Sequence, residues 1–178
     1  MNGLEPSLTL PNGKTLEIRI GTISMLDQDT TEAIAVQNLV KKYGDFSAVN
    51  DISFSVMHGE VFGILGPNGA GKTTTLEIIE GLLRPTSGST KVFGMDSQIS
   101  STKVKGAIGV QLQASAYFGY LKLQEILDLF GRFYPKRVPA NRLLDMVGLG
   151  DKADSTIGKL SGGQQQRFTI AAALVNDP

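Results

Sequence analysis

Gly66-Pro67-Asn68-Gly69-Ala70-Gly71-Lys72-Thr73 is the stretch on which the fold turns. It follows the continuous apolar run Val61 to Leu65, which reads as a buried strand, and it opens a segment, Gly71 to Gly81, of helical character with a glycine where a helix would end. Three glycines between strand and helix let the backbone curl until successive N–H groups face one concavity. The positive end of the helix dipole falls on the same spot. Such a nest suits a triphosphate tail. Lys72 would place a compact charge on the β- and γ-phosphates, the Thr73 hydroxyl would offer one ligand to Mg²⁺, and Thr74 would add a hydrogen bond to phosphate. The pattern G-x-x-x-x-G-K-[ST] owes its meaning to this setting, because the same letters elsewhere would be a glycine-rich turn.

Strand-like runs precede the loop at Ile34 to Val40 and Ala48 to Val56. Beyond it, Thr90 to Phe93 follows the Pro85-Thr86-Ser87-Gly88 turn as another strand, and Ile108 to Gln113 is a further short candidate. Lys122 to Tyr134, Pro139 to Val147 and Gly162 to Val175 have helical spacing, so the second half is expected to be mostly helical. At the other end, Ser7 to Ile20 alternates apolar and polar positions around Pro11-Asn12-Gly13, a hairpin pattern, and Gly21 to Glu32 is a polar linker. Residues 1–32 therefore read as an extension with no assigned role, and residues 33–178 as the main domain.

The chain is long enough, at 178 residues, for one domain with a sizeable core, and 41% apolar with 19% charged residues is ordinary for a globular protein. Seventeen basic and seventeen acidic residues cancel, so no long-range field draws the chain to nucleic acid or an anionic membrane, and no nucleic-acid partner is expected. Without cysteine there is no disulfide framework, thiolate nucleophile or thiolate-bound metal. The longest apolar run, Ile170 to Val175, has six residues, whereas a membrane-spanning helix needs about 20.

A second motif lies at Leu160-Ser161-Gly162-Gly163-Gln164, followed by Gln165, Gln166 and Arg167. Serine stands where a helix N-cap belongs, and two glycines leave the first-turn backbone bare. A capped helix alone would explain the serine. The glycine pair asks for more, since glycine in a helical turn lowers stability unless something must approach the backbone closely.

A Walker A loop followed by this LSGGQ signature marks the ABC ATPases, and from Ala33 to Pro178 the sequence resembles the ATP-binding subunits of ABC transporters. Glu80 to Gly88 and Arg167 to Pro178 are most similar to multidrug and polysaccharide or lipid exporters. The resemblance implies an α/β fold: a RecA-like P-loop NTPase core with an antiparallel β subdomain and an inserted helical subdomain carrying the signature. ATP and Mg²⁺ are the implied cofactors. Tyr43 corresponds to the aromatic residue that stacks on adenine, and Gly66 through Thr74 to the phosphate site. Gln113 corresponds to the glutamine that contacts Mg²⁺ and the attacking water, with Gln111 the competing candidate. Leu160, Ser161, Gly162, Gly163 and Gln164 would act in trans, in a head-to-tail dimer, on the nucleotide held by Lys72 of a second domain. Closure of that dimer on ATP would drive a transmembrane permease subunit, with the chain peripheral at the cytoplasmic face of the membrane. The aromatic stretch Ala114 to Tyr120 would lie near the permease, or else pack within the helical subdomain.

In the family, a hydrophobic strand ending in aspartate and glutamate follows the signature helix, and a histidine comes later. Here the only acidic residue after Ser161 is Asp177, and the only histidine, His58, precedes the loop and reads as a turn residue. The chain is therefore expected to be C-terminally incomplete against the family pattern, with ATP binding but little turnover. Apolar surface and strand edges should be exposed where the missing central strand would pair. A soluble ABC ATPase acting on ribosomes or DNA, and a truncated remnant without function, are the alternative readings.

Overall fold

The computed structural model describes residues 7–9, 15–20, 31–111 and 117–178. The chain divides into two units, residues 1–104 and 105–178.

In the first unit, β1 (Ser7–Thr9) and β2 (Thr15–Ile20) pair antiparallel with Leu8 opposite Leu16, as the alternation predicts. The expected turn around Asn12 and most of the expected linker, residues 21–30, lie outside the described residues. β3 (Glu32–Tyr43) and β4 (Phe46–Met57) form a long hairpin closed by Gly44 and Asp45, with Tyr43 opposite Phe46. Both strands outrun their expected limits: pairing reaches the tight turn at Tyr43 and Phe46, through register shifts between Val36 and Lys42. β5 (Phe62–Ile64) pairs antiparallel with β2, Ile18 facing Ile64. β6 (Ser87–Val92) and β7 (Met95–Asp96) extend the larger sheet in the order β4-β3-β6-β7.

Every ladder among the described residues is antiparallel. The four-stranded sheet β4-β3-β6-β7 fits the expected antiparallel subdomain, whereas β5, the strand before the loop, ladders among the described residues to β2 of the N-terminal extension. The expectation of a fully buried strand at 61–65 is corrected here: Val61 is 67% and Leu65 51% exposed, and the residues between are half-buried. Among the described residues β5 is laddered on one edge, to β2, and its Phe62 ring stacks on Phe54 of β4 at 5.0 Å between centroids, cover that does not extend to Val61 and Leu65 at its ends.

Helix α1 (Lys72–Ile79) packs against β3, β4 and β6, burying Thr75, Ile78 and Ile79 beside Val36, Leu39, Val49, Ile52 and Val92. Gly81 ends it in the left-handed conformation. Its N–H bonds to the Ile78 carbonyl, and the Leu82 N–H reaches back to Glu77, the paired closure known as a Schellman motif. The Ile78 carbonyl also accepts from Ser97 Oγ at 3.0 Å and Gln98 Nε2 at 3.1 Å, which ties the C-terminal end of α1 to the β6–β7 edge. α2 (Ser101–Ala107) has one buried residue, Val104, too few apolar positions to show as a period in the sequence.

The second unit is helical, as expected. α3 (Leu123–Gly131), α4 (Ala140–Met146) and α5 (Gly162–Ala173) enclose a core of Leu123, Ile126, Leu127, Leu143, Leu144, Leu149, Phe168 and Val175. The spacing of Leu123, Ile126 and Leu127 places them on one face of α3. Tyr117 joins this core, its ring edge-on to Phe168 at 5.2 Å between centroids. Within the aromatic stretch, Tyr117 thus takes the internal-packing alternative, while Phe118 and Tyr120 are exposed.

Of the strand expected at Ile108 to Gln113, residues 108–111 are not a strand, and residues 112 and 113 lie outside the described residues. Two polar groups of residues 108–111 are engaged from the side: the Ile108 carbonyl accepts from Asn176 Nδ2 at 2.9 Å, an amide that also donates to the Gly106 carbonyl of α2 at 3.1 Å, and Gln111 Nε2 donates to Thr169 Oγ1 at 2.9 Å. The Ile108 carbonyl is thus satisfied by a side chain of the C-terminal segment and not by a strand ladder. No helix among the described residues is long and apolar enough to cross a membrane.

Candidate functional site

The loop sits where the sequence puts it, between β5 and α1. Gly66, Pro67, Asn68 and Gly69 are exposed, while Ala70 is buried. Gly71 is the N-cap of α1, at φ 81 and ψ 8, and provides no side-chain cap. Its lack of a Cβ is required twice over, by the left-handed φ and because a Cβ there would meet the Ala48 carbonyl oxygen of β4 at 2.2 Å. Thr75 secures the first turn from inside, its Oγ1 donating to the Gly71 carbonyl at 2.9 Å. With no capping acceptor, the opening N–H groups of the helix remain for an anion.

Lys72 Nζ arches back over the loop and donates to the carbonyls of Gly66 and Pro67, each at 2.8 Å. One ammonium has three donors, so these two bonds orient it at the loop centre and leave a third direction for an incoming oxygen. Thr73 is exposed on the first turn and Thr74 half-buried beside it. At the far end of the helix, Glu80 has its carboxyl pKa pushed up, first by burial and then by the neighbouring Glu77 charge.

Tyr43 is at the tip of the β3–β4 hairpin, exposed. Lys41, which sequence reasoning passed over, holds its Nζ 5.0 Å from the centre of the Tyr43 ring. The i, i+2 spacing on a strand is the signal that would have found it, since it puts both side chains on one face.

In the second unit, Ser161 caps α5 as expected. Its Oγ accepts from Gln164 N at 3.3 Å, and its own N–H donates to Gln164 Oε1 at 2.9 Å, completing a reciprocal capping box. Leu160 is buried, while Ser161, Gly162 and Gly163 are exposed. A Cβ built on Gly162 or Gly163 would meet nothing within 4 Å, and neither has a left-handed φ. Internal packing therefore does not explain the glycine pair. Arg167 fastens the helix, its guanidinium donating to the Val147 carbonyl at 3.1 Å at the end of α4.

Of the two glutamines weighed for the metal and water, Gln113 lies outside the described residues, and Gln111 has its amide on Thr169 of α5. Among the described residues no group of three His, Cys, Asp or Glu could hold a metal ion. Mg²⁺ bound with a triphosphate takes most of its oxygens from phosphate and water, so a single exposed hydroxyl at Thr73 is a donor set that fits it.

A family model described as ABC transporter matches residues 49–178. The Nod factor export ATP-binding protein I of Burkholderia orbicola is 41% identical over 150 residues, covering 82% of this chain and 49% of that protein. The probable multidrug ABC transporter ATP-binding protein YbhF of Escherichia coli is 39% identical over 150 residues, covering 82% of this chain and 26% of its own length. Among solved structures, a bacterial ABC transporter cassette in dimeric form aligns with a TM-score of 0.66 at 26% identity, over 82% of this chain and 70% of that one. The chain thus spans about half or less of the length of these curated relatives. With the loop, the capped signature helix and a family match over most of its residues, the chain belongs to the ABC transporter ATP-binding family.

Proposed function

We propose that residues 33–178 form the nucleotide-binding domain of an ABC transporter subunit, which holds Mg-ATP between Tyr43 and the Gly66–Thr74 loop. In the whole protein, binding and hydrolysis of ATP drive transport, in the export direction, by a permease partner at the membrane. The observation that carries this reading is the uncapped start of α1, with Lys72 held over it by two loop carbonyls. The β- and γ-phosphates enter at that point, Lys72 turns its third donor to them, and Thr73 and Thr74 add their hydroxyls. Mg²⁺, when bound, neutralises charge shared by the two phosphates, and Thr73 with Gln113 are the residues that would hold it.

The signature helix acts on a second copy. The cap of α5 uses a lone pair of Ser161 Oγ, so the hydroxyl hydrogen is available to donate outward. The bare backbone of Gly162 and Gly163 allows a phosphate to come close, which is what their open surroundings support. A head-to-tail pair sets this surface against the loop of its partner, and the dimeric form of the similar cassette supports pairing of two copies. Closure on ATP and reopening after product release move the permease.

Hydrolysis needs a group to orient water. After Ser161 this chain offers only Asp177, whose carboxyl pKa is lowered by its hydrogen bond and ion pair with Lys136. These 178 residues therefore bind ATP with little turnover. Displacement of a fluorescent nucleotide analogue from the purified chain, beside Lys72→Ala, tests the binding. Saturable displacement lost in the variant is expected, and equal binding by both would sink the assignment. Phosphate release at ordinary ATPase rates would overturn the statement on turnover.

A further inference from the structure

Tyr43 stands directly across the hairpin from Phe46, and 51% of its surface is exposed. A tyrosine so placed ordinarily samples several rotamers, and a ligand stacking on it must first arrest that motion. Here the arrest is built in. Lys41 lies two residues earlier on the same face of β3. Its Nζ is 5.0 Å from the Tyr43 ring centre, inside the roughly 6 Å range over which an ammonium is held by the ring's negative face.

The ammonium is anchored on its other side as well. Lys41 Nζ donates to the Arg84 carbonyl at 2.8 Å, in the loop that follows α1. The same loop is tied to β3 by Lys42 N–H donating to Thr86 Oγ1 at 2.9 Å and by Thr86 N–H donating to the Val40 carbonyl at 2.8 Å. Lys41 is thus fixed between a loop carbonyl and an aromatic face rather than swinging on its four-carbon stem. One face of the ring is taken, and the exposed part of Tyr43 remains for a ligand. An ammonium on one face also draws the π density toward itself, which lowers the repulsion a stacked base would meet on the other.

We propose that Lys41 is a positioning residue, holding the Tyr43 ring by one face against the Arg84–Thr86 loop so that the opposite face is set to receive a purine base. The proposal rests on the reading of Tyr43 as the base-stacking residue. It makes base recognition depend on a cation that need not touch the nucleotide.

The test compares two ligands on the full chain, ATP and inorganic tripolyphosphate, by calorimetric titration. Their affinity ratio isolates what the base contributes, because the phosphate loop serves both. Tyr43→Ala should lower the ratio most. Lys41→Met should lower it by about two- to five-fold, the range of an exposed cation–aromatic contact. Lys41→Arg should restore it, since a guanidinium also stacks on aromatic rings and donates to carbonyls. In a Tyr43→Ala background, Lys41→Met should change the ratio no further. If Lys41→Met weakens both ligands equally, Lys41 acts as a general charge or a structural tie, and the proposal is overturned. A ratio that falls in Tyr43→Ala but not in Lys41→Met overturns the Lys41 role alone. A ratio unmoved by Tyr43→Ala, or a wild-type chain that binds neither ligand, removes the base-stacking reading and this proposal with it.

Discussion

Replacing the signature glycines by alanine should make the chain more stable while abolishing its proposed partnership. Gly162 and Gly163 are the first two residues of α5, their φ values are not left-handed, and an added Cβ on either meets no atom within 4 Å. Nothing in the fold resists the methyl group. Alanine is favoured over glycine by about 0.8–1.0 kcal/mol in a helix interior. The first turn is less constrained, so about 0.5 kcal/mol per site is expected, and about 1 kcal/mol for the double variant. Urea unfolding followed by far-UV circular dichroism resolves a change of that size as a raised midpoint at constant slope. The same variants should lose ATP-dependent self-association in sedimentation velocity, since two methyl groups would stand where the partner's nucleotide must approach the backbone. Destabilisation by either alanine would refute the reasoning that internal packing does not need these glycines. Stabilised variants that still associate on ATP would show that close approach in trans is not their purpose.

Gly71→Ala should have the opposite sign, because its Cβ would lie 2.2 Å from the Ala48 carbonyl oxygen at φ 81; a loss of about 1–3 kcal/mol in the same unfolding assay is expected, and a neutral result would contradict the close approach to β4. Asn176→Ala should cost about 1–3 kcal/mol, since its buried amide serves the carbonyls of Gly106 and Ile108, and amide hydrogen exchange should show residues 106–111 losing protection. Glu80 carries a pH dependence. Its folded pKa is raised, so the stability it contributes is full below the ordinary value of 4.5 and is lost as pH rises through the folded value. Glu80→Gln should therefore raise the melting temperature at neutral pH, and that gain should vanish in acid; a gain that persists below the ordinary carboxylate range would assign it to another cause.

What the sequence made legible was what local chemistry dictates. The loop from Gly66 to Thr73, the Ser161 cap and the three α-helices after residue 120 each follow from a residue pattern that acts within a few positions, and the structure has each of them in place. Errors arose where a long-range partner decides the outcome. Val61 to Leu65 is apolar enough for a buried strand, but burial also needs neighbours, and β2 covers one edge only. Ile108 to Gln111 has the composition of a strand, but the Ile108 carbonyl is taken by Asn176, some 70 residues away, and the Gln111 amide by Thr169. The Lys41–Tyr43 contact lies between these cases. Its spacing was visible as a lysine two residues before an aromatic, but spacing cannot show that the Arg84 carbonyl fixes the ammonium in place. That carbonyl belongs to the loop leaving the helix that Lys72 begins. The hairpin that carries the proposed base site is therefore tied by hydrogen bonds to the loop that leaves the helix whose start carries the proposed phosphate site.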